Sequence, residues 1–226
     1  MTKRGVKLAL KLLGRRVRAV FNLALGRGLS QEIFDLLYTV KEDPWQYRTS
    51  VLERGKYTDL LTVLPQLPWH RALEVGCSEG LFTRMLADRV ECLKAIDFSP
   101  KALARAQQKL VGLDHVQLEQ LNIRDQEPGG TFDLIVASEV LYYMGDAHQI
   151  RALGRRMLSW LRPGGHLLLC HMRSQSDESQ GIPVSRWTPV HPGAFTVHAI
   201  FDEFPELVSV SELQQPLYKI SLYRLA

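Results

Sequence analysis

From Trp69 onward the chain alternates short apolar runs with amphipathic stretches, and this rhythm constrains the fold more than any other feature of the sequence. Residues 72–76, 92–97, 115–120, 132–137 and 166–171 read as buried strands. Residues 80–88, 100–110 and about 146–161 read as helices, with Ser99 placed to cap the second of them. Parallel strands need a crossover of roughly a dozen residues or more, usually a helix. Alternating strands and helices therefore predict an α/β chain with a mostly parallel sheet. Towards the C-terminus the rhythm changes, because residues 207–214 and 217–225 are strand-like and separated only by a turn around Gln215-Pro216. No crossover helix fits there, so the last strand must run antiparallel to its neighbour.

Helical segments precede this core. Val6, Leu10, Leu13, Val17, Val20 and Ala24 recur at helical steps while Lys3, Lys7, Lys11, Arg15 and Arg18 follow the opposite face. The spacing predicts a basic amphipathic helix over about 3–25, ended by Gly26 and Gly28. Ser30 and Glu32 mark the start of a second helix through Val40, Asp43-Pro44-Trp45 breaks the chain, and a third helix is expected over 49–64. A length of 226 residues asks for one core. The expected division is a helical extension over 1–68, able to act as a lid through the rings of Trp45 and Tyr57, and an α/β domain over 69–226.

The net charge of +4 is unevenly spread: residues 1–28 hold eight basic side chains and no acid, so residues 29–226 carry −4. An acidic body argues against a nucleic-acid groove. The basic helix has the pattern of an interfacial element, which leaves open peripheral contact with an anionic membrane or an acidic partner beside simple packing of its apolar stripe. Arg155-Arg156, by contrast, is expected on a solvated helix face. Cys77, Cys92 and Cys170 are widely spaced within apolar runs, with no cleavable secretory signal before them, and are expected as reduced core thiols of a cytoplasmic protein. No Cys or His pair has zinc-site spacing, so no metal is expected, and no apolar run is long enough to span a bilayer.

The chemistry is concentrated where the first strand ends, in Glu74-Val75-Gly76-Cys77-Ser78-Glu79-Gly80, a glycine-rich turn that feeds a helix. Glycine is needed where a ligand approaches the backbone closely. About 20 residues further on, Asp97 ends the second strand, where a carboxylate can accept from both hydroxyls of a ribose. Turn and acid together indicate an adenosyl cofactor. A nicotinamide site would show three glycines cradling a pyrophosphate, whereas here a carboxylate, Glu74, stands before the first of two. Negative charge there repels pyrophosphate and suits a ligand with an ammonium or sulfonium group, hence S-adenosylmethionine (SAM). The alternatives are an NAD(P)-dependent oxidoreductase and a SAM-binding regulatory or scaffolding domain without transfer activity.

Residues 73–80, Ala95-Ile96-Asp97, Phe132-Asp133-Leu134-Ile135-Val136 and Leu161-Arg162-Pro163-Gly164-Gly165 resemble successive motifs of class I SAM-dependent methyltransferases. Asp43-Pro44-Trp45 and Ser138-Glu139-Val140-Leu141-Tyr142-Tyr143 are similar, more narrowly, to the NodS-like nodulation methyltransferases, which methylate the free amine of a chitooligosaccharide. The resemblance implies a Rossmann-like, seven-stranded sheet with an antiparallel last strand, SAM as the cofactor, and a small-molecule acceptor of carbohydrate or other metabolite type. It implies cofactor contacts at Glu74, Gly76, Cys77, Gly80, Asp97, Phe98, Asn122, Ile123 and Ser138. Asn122 departs from the acid usual at its position but can still accept from an adenine amino group through its amide oxygen. Candidate acceptor-side residues are Glu139, Tyr142, Tyr143, His171 and His191, the first four because ligands in open α/β sheets lie beyond the carboxyl ends of the strands.

Overall fold

The computed structural model describes residues 30–173 and 193–226. The expected basic helix over 3–25 and His191 lie outside them. The core is a seven-stranded sheet in the order β3-β2-β1-β4-β5-β7-β6, with β1 Ala72–Val75, β2 Leu93–Asp97, β3 Val116–Gln120, β4 Phe132–Ser138, β5 Leu161–Met172, β6 Leu207–Gln214 and β7 Tyr218–Leu225. Strands β1 to β5 pair in parallel, and β7 runs antiparallel to both β5 and β6. The C-terminal hairpin thus inserts its second strand against β5, leaving β6 at the edge.

Helices flank the sheet: α1 Gln31–Val40, α2 Val51–Val63, α3 Leu81–Ala87, α4 Pro100–Lys109, α5 Ala147–Ser159 and α6 Ala194–Asp202. Ser99 Oγ accepts from the Ala102 N–H and Ser50 Oγ from the Glu53 N–H, while Asp146 and Gln149 form a capping box. Ser30 occupies the N-cap of α1 without a side-chain cap bond. One face of the sheet packs against α5 and α6 through residues such as Ile135, Leu169, Ile150, Met157 and Phe201, the other against α2 and α3 through Leu134, Leu168, Leu60, Phe82 and Leu86.

Several expectations need correction. Strand β5 starts five residues early, because Leu161 already pairs with Phe132 across a bulge and Arg162-Pro163-Gly164-Gly165 is absorbed into the strand. Cys77 and Cys170 are buried, but Cys92 is exposed just ahead of β2. Arg156 is not a solvated side chain: it donates to the carbonyls of Ile123, Arg124 and Gln126 and pairs with Glu127, stapling the β3–β4 loop to α5. Tyr57 is a core residue, 5.2 Å from the ring of Phe82, rather than part of a lid.

Candidate active site

A cavity of about 320 Å³ opens at the carboxyl ends of β1, β2 and β4, closed over by α1, α2 and the segment between them. In open α/β sheets this crevice is where ligands bind. At its floor the Gly76 and Cys77 N–H groups both donate to the Ile96 carbonyl, at 2.8 and 3.0 Å. Gly76 adopts φ +77°, and a Cβ there would meet Val140 Cγ2 at 3.0 Å, so glycine lets the turn press against the loop after β4. The Ser78 N–H donates to Asp97 Oδ2 at 2.9 Å and the Ser99 N–H to Oδ1 at 2.8 Å. Asp97 thereby ties the glycine turn to the cap of α4 with its carboxylate in the cavity wall, and burial raises its pKa to about 6. Glu74 is buried on β1, outside the cavity lining; burial raises its pKa to about 7, and its Oε2 has no hydrogen-bond donor among the described residues. A buried, incompletely satisfied carboxylate fits the positively charged end of a ligand.

Helix α1 covers the turn. Tyr38 Oη and Ser78 Oγ share a hydrogen bond of 2.6 Å, Trp45 Nε1 donates to Tyr38 Oη at 3.2 Å, and Ser99 Oγ donates to Asp35 Oδ1 at 2.5 Å. Arg105 on α4 pairs with Glu79 and donates to the carbonyls of Tyr38, Lys41 and Glu42, latching α1 and the segment after it onto the domain. Burial would raise the Glu79 carboxyl, but bonds from Lys109 and Arg105 outweigh it and hold its pKa below the usual range. The ring of Phe34 stands 5.0 Å from Phe98 and 5.2 Å from Tyr143, and these rings continue into a wall with Leu121, Asn122 and Ile123. Asn122 Oδ1 already accepts from the Arg124 N–H at 3.2 Å, which leaves it one lone pair for a ligand donor.

A second wall is charged. Lys56, buried on α2, lies 2.8 Å from Glu53 Oε2 and 3.1 Å from Glu139 Oε1. Tyr142 donates its hydroxyl to the other oxygen of Glu139, and the Glu139 N–H donates to the Cys170 carbonyl at 2.8 Å. Burial lowers the Lys56 pKa, but Glu139 and its neighbours more than offset this and leave the ammonium protonated. The three non-glycine residues with left-handed backbone among the described residues, Gln46 at φ +59°, Ser78 at φ +51° and Glu139 at φ +57°, all line this cavity. Such conformations cost about 1–3 kcal/mol each and persist where the surroundings impose them, characteristically at functional sites.

Of the residues expected at the site, Gly76, Asp97, Phe98, Asn122, Ile123, Ser138, Glu139, Tyr142 and Tyr143 line the cavity. Glu74, Cys77, Gly80 and His171 do not. Gly80 serves packing instead: at φ +76°, a Cβ would stand 3.1 Å from the side chains of Ala106 and Leu110. Cys77 is buried beneath the turn, and its thiol points to the Ser78 carbonyl. His171 is fully buried, and its Nε2 accepts from the Leu141 N–H at 3.3 Å. Its proton therefore sits on Nδ1 and is donated to His198 Nε2, which leaves His198 Nδ1 to donate to Ser221 Oγ. Burial lowers the His171 pKa to about 3, so it is a neutral support under the Leu141–Tyr143 turn rather than a base. Sequence reasoning missed Tyr38, Tyr47, Glu53 and Lys56. The last had a signal: Lys56 falls on the same helical stripe as Leu52 and Leu60, and a charge on a buried stripe demands a partner.

The sequence pattern of the NodS family, nodulation protein S, matches residues 31–211. The chain is 36% identical to nodulation protein S of Rhizobium tropici over 174 residues, covering 76% of this chain and 69% of the relative. It is 36% identical to nodulation protein S of Sinorhizobium fredii over 173 residues, covering 76% of each. The crystal structure of the N-methyltransferase NodS from Bradyrhizobium japonicum in complex with S-adenosyl-L-homocysteine superposes with a TM-score of 0.72 at 31% identity, covering 84% of this chain and 96% of that one.

Proposed function

The chain belongs to the NodS family and is a SAM-dependent methyltransferase acting on a small molecule, and we propose that the methylated atom is the free amine nitrogen of a carbohydrate-like acceptor. The residues present fit the cofactor: Asp97 offers a carboxylate for the ribose hydroxyls, Glu74 an unsatisfied acid for the ammonium or sulfonium side, Gly76 a close backbone approach, and Leu121, Asn122 and Ile123 a surface for adenine. When bound, SAM supplies a methyl carbon made electrophilic by sulfonium, so that a nitrogen lone pair forms the new bond while the carbon–sulfur pair stays with sulfur. In this reading Ser138 and Phe98 complete the cofactor wall, and residues 30–68 of the extension cover the domain over 69–226 through Tyr38 and Trp45, which exclude water.

The observation that carries the amine reading is Glu139, a carboxylate held by Lys56 and Tyr142 on a left-handed backbone in the same cavity as Asp97. Glu139 accepts a hydrogen bond from the acceptor N–H, which aims the lone pair, and its charge balances the positive charge that arrives on nitrogen. The amine reacts as the free base, its ammonium proton having gone to water, so turnover rises with pH. The basic side chains of residues 1–28 support a further reading in which this segment docks the enzyme on an anionic membrane or acidic partner; among the described residues no helix is long and apolar enough to cross a membrane.

The test is mass spectrometry after incubation with SAM and a glucosamine oligomer bearing free amines. N-methylated product, lost in Glu139→Gln while affinity for S-adenosylhomocysteine is kept, is the expected result. Methyl groups only on oxygen overturn the amine reading, and no carbohydrate product overturns the acceptor class.

A further inference from the structure

Glu139 presents a problem that its own element does not solve. It is a carboxylate in a buried position, and burial raises its pKa, favouring the protonated form. A protonated Glu139 could neither accept from the acceptor N–H with full strength nor balance the charge that methyl transfer brings to nitrogen. The groups that face it come from every surrounding element: Tyr142 and Tyr143 from the turn that follows it, Cys170 from β5, Tyr47 from the segment before α2, and Glu53, Lys56 and Tyr57 from α2. The tyrosines and the thiol are held neutral by burial, and Glu53 adds a second negative charge. Among these facing groups Lys56 is the cation, 1% exposed and 3.1 Å from Glu139 Oε1.

We propose that Lys56 is a positioning residue for methyl transfer, its buried ammonium keeping the Glu139 carboxylate ionised and turned into the cavity. The geometry divides the labour: Lys56 forms an ion pair with Oε1 at 3.1 Å, Tyr142 donates to Oε2, and Glu53, one helical turn away, anchors the ammonium by accepting its hydrogen bond at Oε1, 3.1 Å. Because Lys56 belongs to the extension and Glu139 to the domain, the acceptor carboxylate is competent only when α2 is seated on the sheet. This inference rests on the assignment of Glu139 to the acceptor.

The experiment follows the Glu139 carboxyl by carbon-13 NMR of the full chain labelled at glutamate, the resonance being assigned by its disappearance in Glu139→Gln. The expected result is a midpoint at least about one pH unit higher in Lys56→Gln than in the wild type, and a return towards the wild-type value in Lys56→Arg. The acid limb of the pH–rate profile, with the glucosamine oligomer as acceptor, should move with it. A merely structural lysine would lower the rate equally at all pH values and leave the midpoint in place, and that outcome overturns the proposal. If Lys56→Gln does not fold, Lys56→Met replaces it. If neither folds, the wild type decides: the Lys56 ammonium nitrogen, followed by nitrogen-15 NMR, should respond at the Glu139 midpoint, and an ammonium that does not respond overturns the proposal. Full activity in Glu139→Gln would instead sink the acceptor assignment itself, independently of the lysine titration.

Discussion

Replacing Asp97 by Asn probes the cofactor site with the smallest change of shape. In the wild type each carboxylate oxygen accepts one backbone N–H, from Ser78 at 2.9 Å and from Ser99 at 2.8 Å. An amide retains one of these acceptors and turns an NH2 towards the other, so one buried backbone donor is left unpaired at a cost of about 1–3 kcal/mol. The proposed contact to ribose keeps a hydrogen bond but loses its charge assistance, worth about 1 kcal/mol per bond, or roughly fivefold in affinity for each. Stability should respond differently at different pH. Because burial raises the folded-state pKa of Asp97 from 3.8 to about 6, the stability this group contributes is present below its unfolded pKa and lost as pH rises through 6. At pH 8 the neutral amide avoids burying that charge and offsets part of the lost hydrogen bond; at pH 5, between the two pKa values, it offsets only about half as much. Titration calorimetry with S-adenosylhomocysteine at pH 8, beside thermal melts at pH 5 and 8, measures both effects. A folded variant that binds within about threefold of the wild type would refute the assignment of Asp97 to the cofactor.

Glu74→Gln should weaken SAM binding above pH 7, flatten the loss of affinity that the wild type shows as pH falls through 7, and raise the unliganded melting temperature at pH 8, since the Glu74 pKa is raised by burial to about 7; calorimetry and melting across pH 5–8 check all three. His171 has a folded-state pKa lowered to about 3, so it contributes stability at neutral pH that is lost as pH falls below about 6.5. His171→Ala should therefore destabilise by about 2–4 kcal/mol at pH 7 through the orphaned Leu141 N–H and the cavity left behind, and by less at pH 4, as read by urea unfolding. Removing residues 1–28 should abolish salt-sensitive binding to vesicles containing anionic lipid while leaving S-adenosylhomocysteine affinity intact; a full-length protein that ignores such vesicles at low salt removes the docking reading.

The elements were legible because their signals are local. Strand alternation from Ala72 onward, the Ser99 cap and the turn at Gln215-Pro216 each depend on neighbours along the chain, and together they require a mostly parallel sheet with a reversed last strand. The glycine turn and Asp97 were legible for the same reason, since both end strands whose register follows from periodicity. What sequence could not decide was which chemistry-bearing residues share a cavity, because that depends on how separate elements pack. Gly80 looked like a cofactor glycine but faces Ala106 and Leu110; His171 looked like a base but is buried against His198; Cys92 lay in an apolar run yet surfaces ahead of β2. In the other direction, Tyr38 and Lys56 belong to helices outside the motif-bearing region, and only docking of α1 and α2 brings them to Ser78 and Glu139. The physical reason is range: periodicity and turn chemistry act over a few residues, whereas a buried charge is satisfied by whatever partner the tertiary fold delivers, 83 positions away in the case of Lys56 and Glu139.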